Sequence, residues 1–278
     1  MTELLKFSAQ PKLRKPTLVI GWESDTAWLG GKVTDFLIKT LDAQPFCDID
    51  PVEFFPLGGV TIENDIVQFP QSTFYASREH NLVIFRSAMP RYEWHKFLNL
   101  VVDVAQIYCH VKEMYSIGGI MTLIAHTISS DSWATFSSPQ IKKTLSAYKL
   151  SRDMDFETPP ASRPTLNSYL LWIAKKRELP AANLWVPITF YLMTVDDPNA
   201  HKKALEFLDN RLDLSLDYTG IDANIKKQNE KLIRLRQSSE EVDGVIKKLE
   251  RNQRLSEEEH EYLVKTVDGY LRKGNNQG

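Results

Sequence analysis

Cysteine is scarce in this chain: Cys47 and Cys109 are the only two in 278 residues, and they form no CxxC pair. That excludes a disulfide framework and a thiolate zinc site, and a reducing, cytoplasmic setting is expected. An excess of one charge sign is missing too, with 34 Lys+Arg against 36 Asp+Glu and a formal net charge of -2. Such a balance offers no electrostatic footprint for nucleic acid and no basic face for a membrane. No apolar run approaches a membrane span, and the opening Met1-Thr-Glu-Leu-Leu-Lys6 lacks the apolar segment of a leader. What is present is ordinary for a globular protein: 42% apolar and 25% charged residues. That suits one large domain with an appendage, or two modest ones.

Periodicity divides the chain into alternating elements. Residues 1–15 are polar and basic and read as a loose arm or an edge segment ahead of Pro16. Thr17-Leu-Val-Ile-Gly-Trp22 is a buried-strand run. Ser24 or Asp25 is placed to cap a helix whose Leu29, Val33, Phe36, Leu37 and Leu41 recur at helical spacing. Residues 46–55 are extended, and 60–69 predict a β-hairpin turning at Asn64-Asp65. A strand over 81–86, a helix over 92–108 and a strand over 112–117 ending at Gly118-Gly119 follow. Beyond them come a strand over 132–137, a helix over 139–150, a proline-rich loop over 157–164, a helix over 166–176 and a strand over 184–188. Asp197-Pro198 predicts a helix start, with Asp as cap and Pro at the first helical position, running to about Leu212. Alternating strands and helices, with strands apolar throughout, indicate an α/β fold: a mostly parallel sheet covered by helices on both faces.

From Ile221 the character changes, so residues 1–220 read as an α/β domain and 221–278 as a charged helical hairpin, coiled-coil-like. The tail has no proline and holds 12 Lys/Arg and 11 Asp/Glu, yet its apolar residues are periodic. Ile225, Leu232 and Ile246 share one heptad position, with Ser239 as exception. Leu235, Val242 and Leu249 share the other, with Gln228 as exception. Ser256-Glu-Glu-Glu259 is a capping box opening a second helix. The broken seam predicts that the hairpin docks on the α/β body or on a neighbouring subunit.

Local motifs do not declare a chemistry. Gly30-Gly31-Lys32-Val33 resembles a phosphate loop, but Thr26 stands where its first glycine belongs and Val33 where its hydroxyl belongs. Two glycines there instead let the first helix pack closely on the sheet. Ser116 has Met114 in place of a nucleophile elbow's glycine, which predicts a serine pointing into the sheet. The six histidines are too far apart to share a helix face as metal ligands, and acid pairs such as Asp153/Asp155 and Asp196/Asp197 fall at loops and caps. No catalytic residue, metal ligand or cofactor is assigned. In parallel α/β sheets ligands gather at the carboxyl ends of strands. Gly21, Glu23, Ser24, Arg86, Gly118 and Gly119 occupy those ends and form a candidate crevice for a ligand or a partner. Loops need glycine and polar residues at the same places, so the alternative is plain turn chemistry. Trp22, Phe74, Tyr75, Tyr92 and Trp94 fall in segments that read as loops or exposed faces and are candidates for an interface.

Taken in order, Pro16-Thr-Leu-Val-Ile-Gly-Trp22, Thr34-Asp-Phe-Leu37 and Asp50-Pro-Val-Glu-Phe-Phe55 resemble the opening of the proteasome assembly chaperone family. So do Val67-Gln-Phe-Pro70, Phe74-Tyr75, Leu82-Val-Ile-Phe85 and Pro90. Val111-Lys-Glu-Met-Tyr-Ser-Ile-Gly-Gly119 is similar to its strand-to-glycine signature, and Arg163-Pro-Thr165 and Asp197-Pro-Asn-Ala200 resemble its later half. The resemblance covers roughly residues 16–215 and implies a phosphorylase- or hydrolase-like α/β fold, usually in an oligomer. Eukaryotic members are non-catalytic chaperones of the proteasome α-ring, and some prokaryotic members have been labelled ATP-grasp or carboxylate–amine ligases. Archaeal members can end in a hydrophobic-Tyr-any tripeptide that docks on the proteasome; this sequence ends Asn275-Asn-Gln-Gly278. The expectation is a non-enzymatic, homo-oligomeric interaction or assembly-chaperone-like protein with a protein client. The alternative is an ATP-dependent carboxylate–amine ligase or other small-molecule enzyme using the strand-end crevice.

Overall fold

The computed structural model describes residues 2–56, 59–151, 154–159 and 162–273. Asp153, part of the 157–164 loop and the terminal Asn275–Gly278 segment invoked above lie outside the described residues. In chain order the elements begin with β1 (Leu5–Phe7), β2 (Thr17–Trp22), α1 (Leu29–Thr40), β3 (Gln44–Ile49), β4 (Thr61–Glu63), β5 (Ile66–Gln68), β6 (Ser72–Ser77) and β7 (Leu82–Ser87). They continue with α2 (Trp94–Asp103), β8 (Glu113–Thr122), β9 (Trp133–Phe136), α3 (Pro139–Thr144), α4 (Leu166–Lys176), β10 (Ala181–Thr189) and α5 (Pro198–Leu212). The tail adds α6 (Thr219–Ser238), α7 (Glu240–Glu250) and α8 (Glu257–Lys273).

One eight-stranded sheet runs in the order β1-β3-β6-β7-β2-β8-β10-β9. Strands β7, β2, β8 and β10 are parallel, and the strands flanking them are antiparallel. The fold is thus the expected α/β arrangement, with the basic N-terminal segment supplying the edge strand β1. Alternation in β2 shows why its strand is apolar throughout. Leu18, Ile20 and Trp22 enter a core under α2 and α4 with Phe85, Phe97 and Leu170. Val19 enters a second core under α1 and α5 with Leu37, Ile84 and Leu205. Both faces of the sheet are covered, as buried parallel strands require.

Several local predictions hold for the reasons given. Asp197 Oδ1 accepts from Asn199 N at 3.0 Å and Ala200 N at 3.2 Å, capping α5 with Pro198 at its first turn. The β4–β5 hairpin turns at Asn64 and Asp65, both at positive φ (51° and 64°), which these side chains tolerate. Both cysteines are buried and free. Other predictions are corrected. Strand β6, Ser-Thr-Phe-Tyr-Ala-Ser, was not anticipated, because its polar ends hide the strand; Phe74 in it is fully buried, as is Trp22, so neither is an exposed aromatic. Strand β8 does not stop at Gly118-Gly119 but runs through them to Thr122.

The tail turns back on itself with α8, and its outgoing limb is bent. Ser239 takes an extended conformation (φ -141°, ψ 106°) and its hydroxyl accepts from Val242 N at 3.2 Å, so it ends α6 and caps α7. Leu232, Leu235, Val242, Ile246, Leu249, Leu263 and Val267 join the core that contains Val19 and Ile84. Gln228 Nε2 donates to Asp196 O at 2.6 Å, and His260 stacks on Phe190 with ring centroids 4.0 Å apart. The two exceptions to the heptad pattern therefore each make a polar contact, and the tail docks on the α/β body.

Substituting Leu235→Asp places a carboxylate in that shared core, where Leu235 is 5% exposed. The expected cost is about 3 kcal/mol or more, a drop on the order of 10 °C in melting temperature, with apolar dye binding before the main transition. Unchanged melting in this variant would mean that the tail does not dock.

Candidate functional site

The candidate crevice lies where β2 and β8 part. The two strands pair from Thr17–Ile20 against Glu113–Ser116, and beyond that register β8 pairs with β10 alone. Gly118 and Gly119 sit on the stretch of β8 beyond that register, each with its own neighbour. A Cβ on Gly118 would meet Asn167 Nδ2 at 2.7 Å, and one on Gly119 would meet Thr26 Cβ at 2.9 Å and Ile188 Cδ1 at 2.6 Å. The glycines admit these side chains and do not open a void. Asn167, from the first turn of α4, donates through Nδ2 to Ile117 O at 3.0 Å and accepts from Trp22 Nε1 at 2.6 Å. It thus satisfies a carbonyl that β2 no longer pairs, as buried backbone groups demand. Ser116 lies in the same buried layer, 2.8 Å from the Asn183 side chain, and its hydroxyl faces no solvent.

Gly21 is equally occupied. A Cβ there would lie 2.1 Å from Gly30 O and 2.6 Å from Thr34 Cγ2, so α1 rests directly on β2. The start of α1 is held by Asp25, whose carboxylate oxygens accept from Gly30 N at 3.0 and 2.9 Å. Burial raises the Asp25 carboxyl to about 8, against the lowering effect of that backbone donor. Asp25, not Ser24, is the partner of the helix start; Ser24 is exposed.

Of the six residues, Glu23 and Arg86 do meet. The Arg86 guanidinium pairs with the Glu23 carboxylate through Nη1 and with Asp35 of α1 through Nε, 2.5 Å from Asp35 Oδ1. Burial raises the Glu23 carboxyl, Arg86 lowers it, and Asp35 raises it again. One cation shared by two carboxylates joins β2, β7 and α1, a structural clamp at the strand ends. Sequence reasoning missed Asp35, Asn167 and Thr26, because each contact spans chain positions that only the fold brings together.

The same end of the sheet carries another feature. Segments leaving the carboxyl ends of β2, β3, β7 and β8 expose Trp28, Ile62, Ile66, Val67, Tyr92 and Leu123, with Ile62 72% and Ile66 62% exposed. Tyr92 is exposed as the sequence indicated, and Trp94 is partly buried, its Nε1 donating to Pro90 O at 2.7 Å. Among the described residues no His, Cys, Asp and Glu cluster could hold a metal ion, and no helix is long and apolar enough to cross a membrane.

A profile described as the PAC2 family matches residues 24–236. The chain belongs to the PAC2 family. No curated protein matches it. Solved structures agree on the fold. A Mycobacterium tuberculosis protein of unknown function, Rv2714, superposes with a TM-score of 0.76 at 19% identity, covering 89% of this chain and 90% of that one. PbaB of Pyrococcus furiosus, an archaeal proteasome activator, gives 0.67 at 19% identity over 84% of this chain and 98% of its own. The M. tuberculosis proteasome-assembly chaperone homologue Rv2125 gives 0.68 at 16% identity over 78% and 94%. These likenesses establish the PAC2-type fold and lend no support to an ATP-grasp label.

Two measurements probe the site. Replacing Asn167 by Leu leaves Trp22 Nε1 and Ile117 O unpaired in the core, at an expected cost of about 2–4 kcal/mol by denaturant titration. The raised Asp25 carboxyl favours the folded state when protonated, so its contribution is complete at low pH and is lost as pH rises toward about 8. The buried, lowered His126 acts oppositely, but only below its ordinary range, near 6.5. Between pH 6.5 and 8 the wild-type melting temperature should therefore fall more steeply than that of Asp25→Asn; parallel curves would refute the assignment.

Proposed function

We propose that this PAC2 family member is a non-enzymatic, homo-oligomeric, cytoplasmic protein that binds protein partners in the manner of an assembly chaperone. The observation that carries this reading is the exposure of Ile62, Ile66 and Val67 together on the β4–β5 hairpin. Exposed apolar groups concentrated in one region mark protein-binding surfaces on soluble proteins. The titratable groups nearby are already engaged: Arg86 with Glu23 and Asp35, and Asp25 with the backbone at the start of α1. A cation and carboxylates engaged in this way hold elements together and are poorly placed to act on a substrate. The names of two structural relatives, a proteasome activator and a proteasome-assembly chaperone homologue, add a client of that kind as the first to test.

The test is mass by light scattering at micromolar concentration, wild type against Ile62→Asp/Ile66→Asp. A wild-type oligomer whose mass falls in the double variant, with melting unchanged, is the expected result. A monomeric wild type would overturn the oligomer, and capture from native lysate that never enriches 20S α-subunits would remove the proteasome as client.

A further inference from the structure

The β4–β5 hairpin stands apart from the large sheet: among the described residues its two strands pair with each other alone. Its register sets Ile62 opposite Val67 on one face and Glu63 opposite Ile66 on the other, and all four are exposed. A lone two-stranded hairpin is at best marginally stable in water and gains stability by packing on something else. Neither face of this finger is covered by its own chain. Its charge is also of one sign. Between Glu53 and Arg78 the sequence holds no lysine or arginine, and the charged residues there are Glu63 and Asp65, at the turn.

A hollow of the opposite character lies at the same end of the molecule. It measures about 440 Å³. Arg91, Tyr92 and Trp94 at the start of α2 line one side, and Arg163, Pro164 and Tyr169 at the start of α4 line the other. That size suits a turn and its flanking side chains, not a whole domain face. Backbone bonds tie the hollow to the base of the finger. Arg91 N donates to Phe54 O at 2.8 Å, and Ala88 N donates to Gln71 O at 3.1 Å. The segments that enter and leave the hairpin therefore run beside the chain that leads into α2. The finger does not lie in its own hollow, since Ile62, Ile66 and Val67 are 72%, 62% and 56% exposed.

The walls of the hollow favour an occupant of that kind in two ways. Their aromatic side is held rigid. Tyr169 stacks on Trp172, with ring centroids 5.5 Å apart and planes at 11°, and its hydroxyl lies 3.1 Å from His95 Nδ1. Trp94 is fixed by its bond to Pro90 O, and Tyr92 stands exposed beside it. Rings already fixed lose little side-chain entropy when covered, which makes them good anchors for apolar groups. Their charged side is unpaired. Arg91 and Arg163 make no ion pair among the described residues, whereas the nearby cations Lys96 and Arg177 are paired with Glu53 and Asp103. Glu93 is the carboxylate in the wall, so the two guanidiniums leave the hollow net positive.

We propose that this hollow receives the β4–β5 hairpin of a second copy of the chain. The acidic turn, with Glu63 and Asp65, pairs with Arg91 and Arg163, and Tyr92 and Tyr169 cover the apolar flanks. The complement of charges and the finger's own lack of cover select this occupant. Each copy carries both halves at one end, so the contact can be made twice about a two-fold axis or repeated around a closed ring. The inference rests on the homo-oligomer proposed above and names the contact that builds it.

The experiment is light scattering and sedimentation velocity of the full chain at micromolar concentrations. Four proteins are compared: wild type, Arg91→Glu/Arg163→Glu, Glu63→Lys/Asp65→Lys, and the variant with all four changes. Every altered residue is exposed, and a melting curve checks that each variant keeps its fold. Either reversal alone sets like charges against each other and should weaken association by about a hundredfold or more. The variant with all four changes restores opposite charges with the signs exchanged and should recover the wild-type mass. High salt should weaken wild-type association. Should a reversal disturb folding, Arg91→Ala/Arg163→Ala reads the same contact and should weaken association by about tenfold. A wild-type oligomer undiminished by the arginine changes, or losses that the combined variant fails to repair, would overturn the contact and leave the homo-oligomer standing. Loss of mass from the hairpin changes alone would assign the finger to another surface and overturn it too. A monomeric wild type would remove the homo-oligomer itself, and the contact with it.

Discussion

Two backbones touch at the centre of this molecule. Gly21 in β2 and Gly30 in α1 approach so closely that a methyl group on Gly21 would overlap a carbonyl oxygen. No side chain other than hydrogen fits, and the helix is thereby pinned at a fixed height above the sheet. The surrounding arrangement depends on that contact. Asp25 is drawn inward to receive Gly30 N, where burial favours its neutral form. Ala27 and Trp28 must turn through left-handed geometry to reach the helix start. Asp35 is carried to within reach of Arg86, which binds Glu23 at the strand end. Strain at the turn is tolerable because buried packing of Leu29, Val33 and Leu37 holds the helix down.

The point at which β2 and β8 separate has a different logic. A parallel sheet that splays leaves backbone groups without partners, and a protein fills the gap with either water or side-chain amides. Here Asn167 does so, bridging Ile117 and Trp22, while small residues in β8 make the room. The ordinary ligand position of an α/β sheet is thus taken by the chain itself. Concave space appears instead one layer outward, between the starts of α2 and α4.

Much of the fold could be read from residue order. The apolar runs of β2 and β7 specify buried parallel strands, and Asp197-Pro198 specifies the start of α5, because these signals are local. Strand β6 was not legible, since Ser72, Thr73 and Ser77 give it polar ends, and only pairing with β3 and β7 makes it a strand. Gly118-Gly119 reads as a strand end because glycine usually punctuates; in the fold it is a packing device inside β8. Ser239 and Gln228 disturb the heptads visibly, yet what each does depends on Val242 N and Asp196 O. Of the candidate residues, Glu23 and Arg86 meet, while Gly21, Gly118 and Gly119 are occupied by packing neighbours. The hollow was invisible because its walls come from positions near 92 and 165.

The sheet ends in modest edges. One is β1, three residues long, with Lys6 turned toward Asp50; the other is β9, four residues long and antiparallel to its neighbour. Short, charged or reversed borders offer few free backbone groups for another chain to continue. Growth by one copy extending another's large sheet into an open-ended ribbon is therefore disfavoured at these edges. A contact made by side chains on loops and helices can instead close into a ring of finite size and be undone by a single charge.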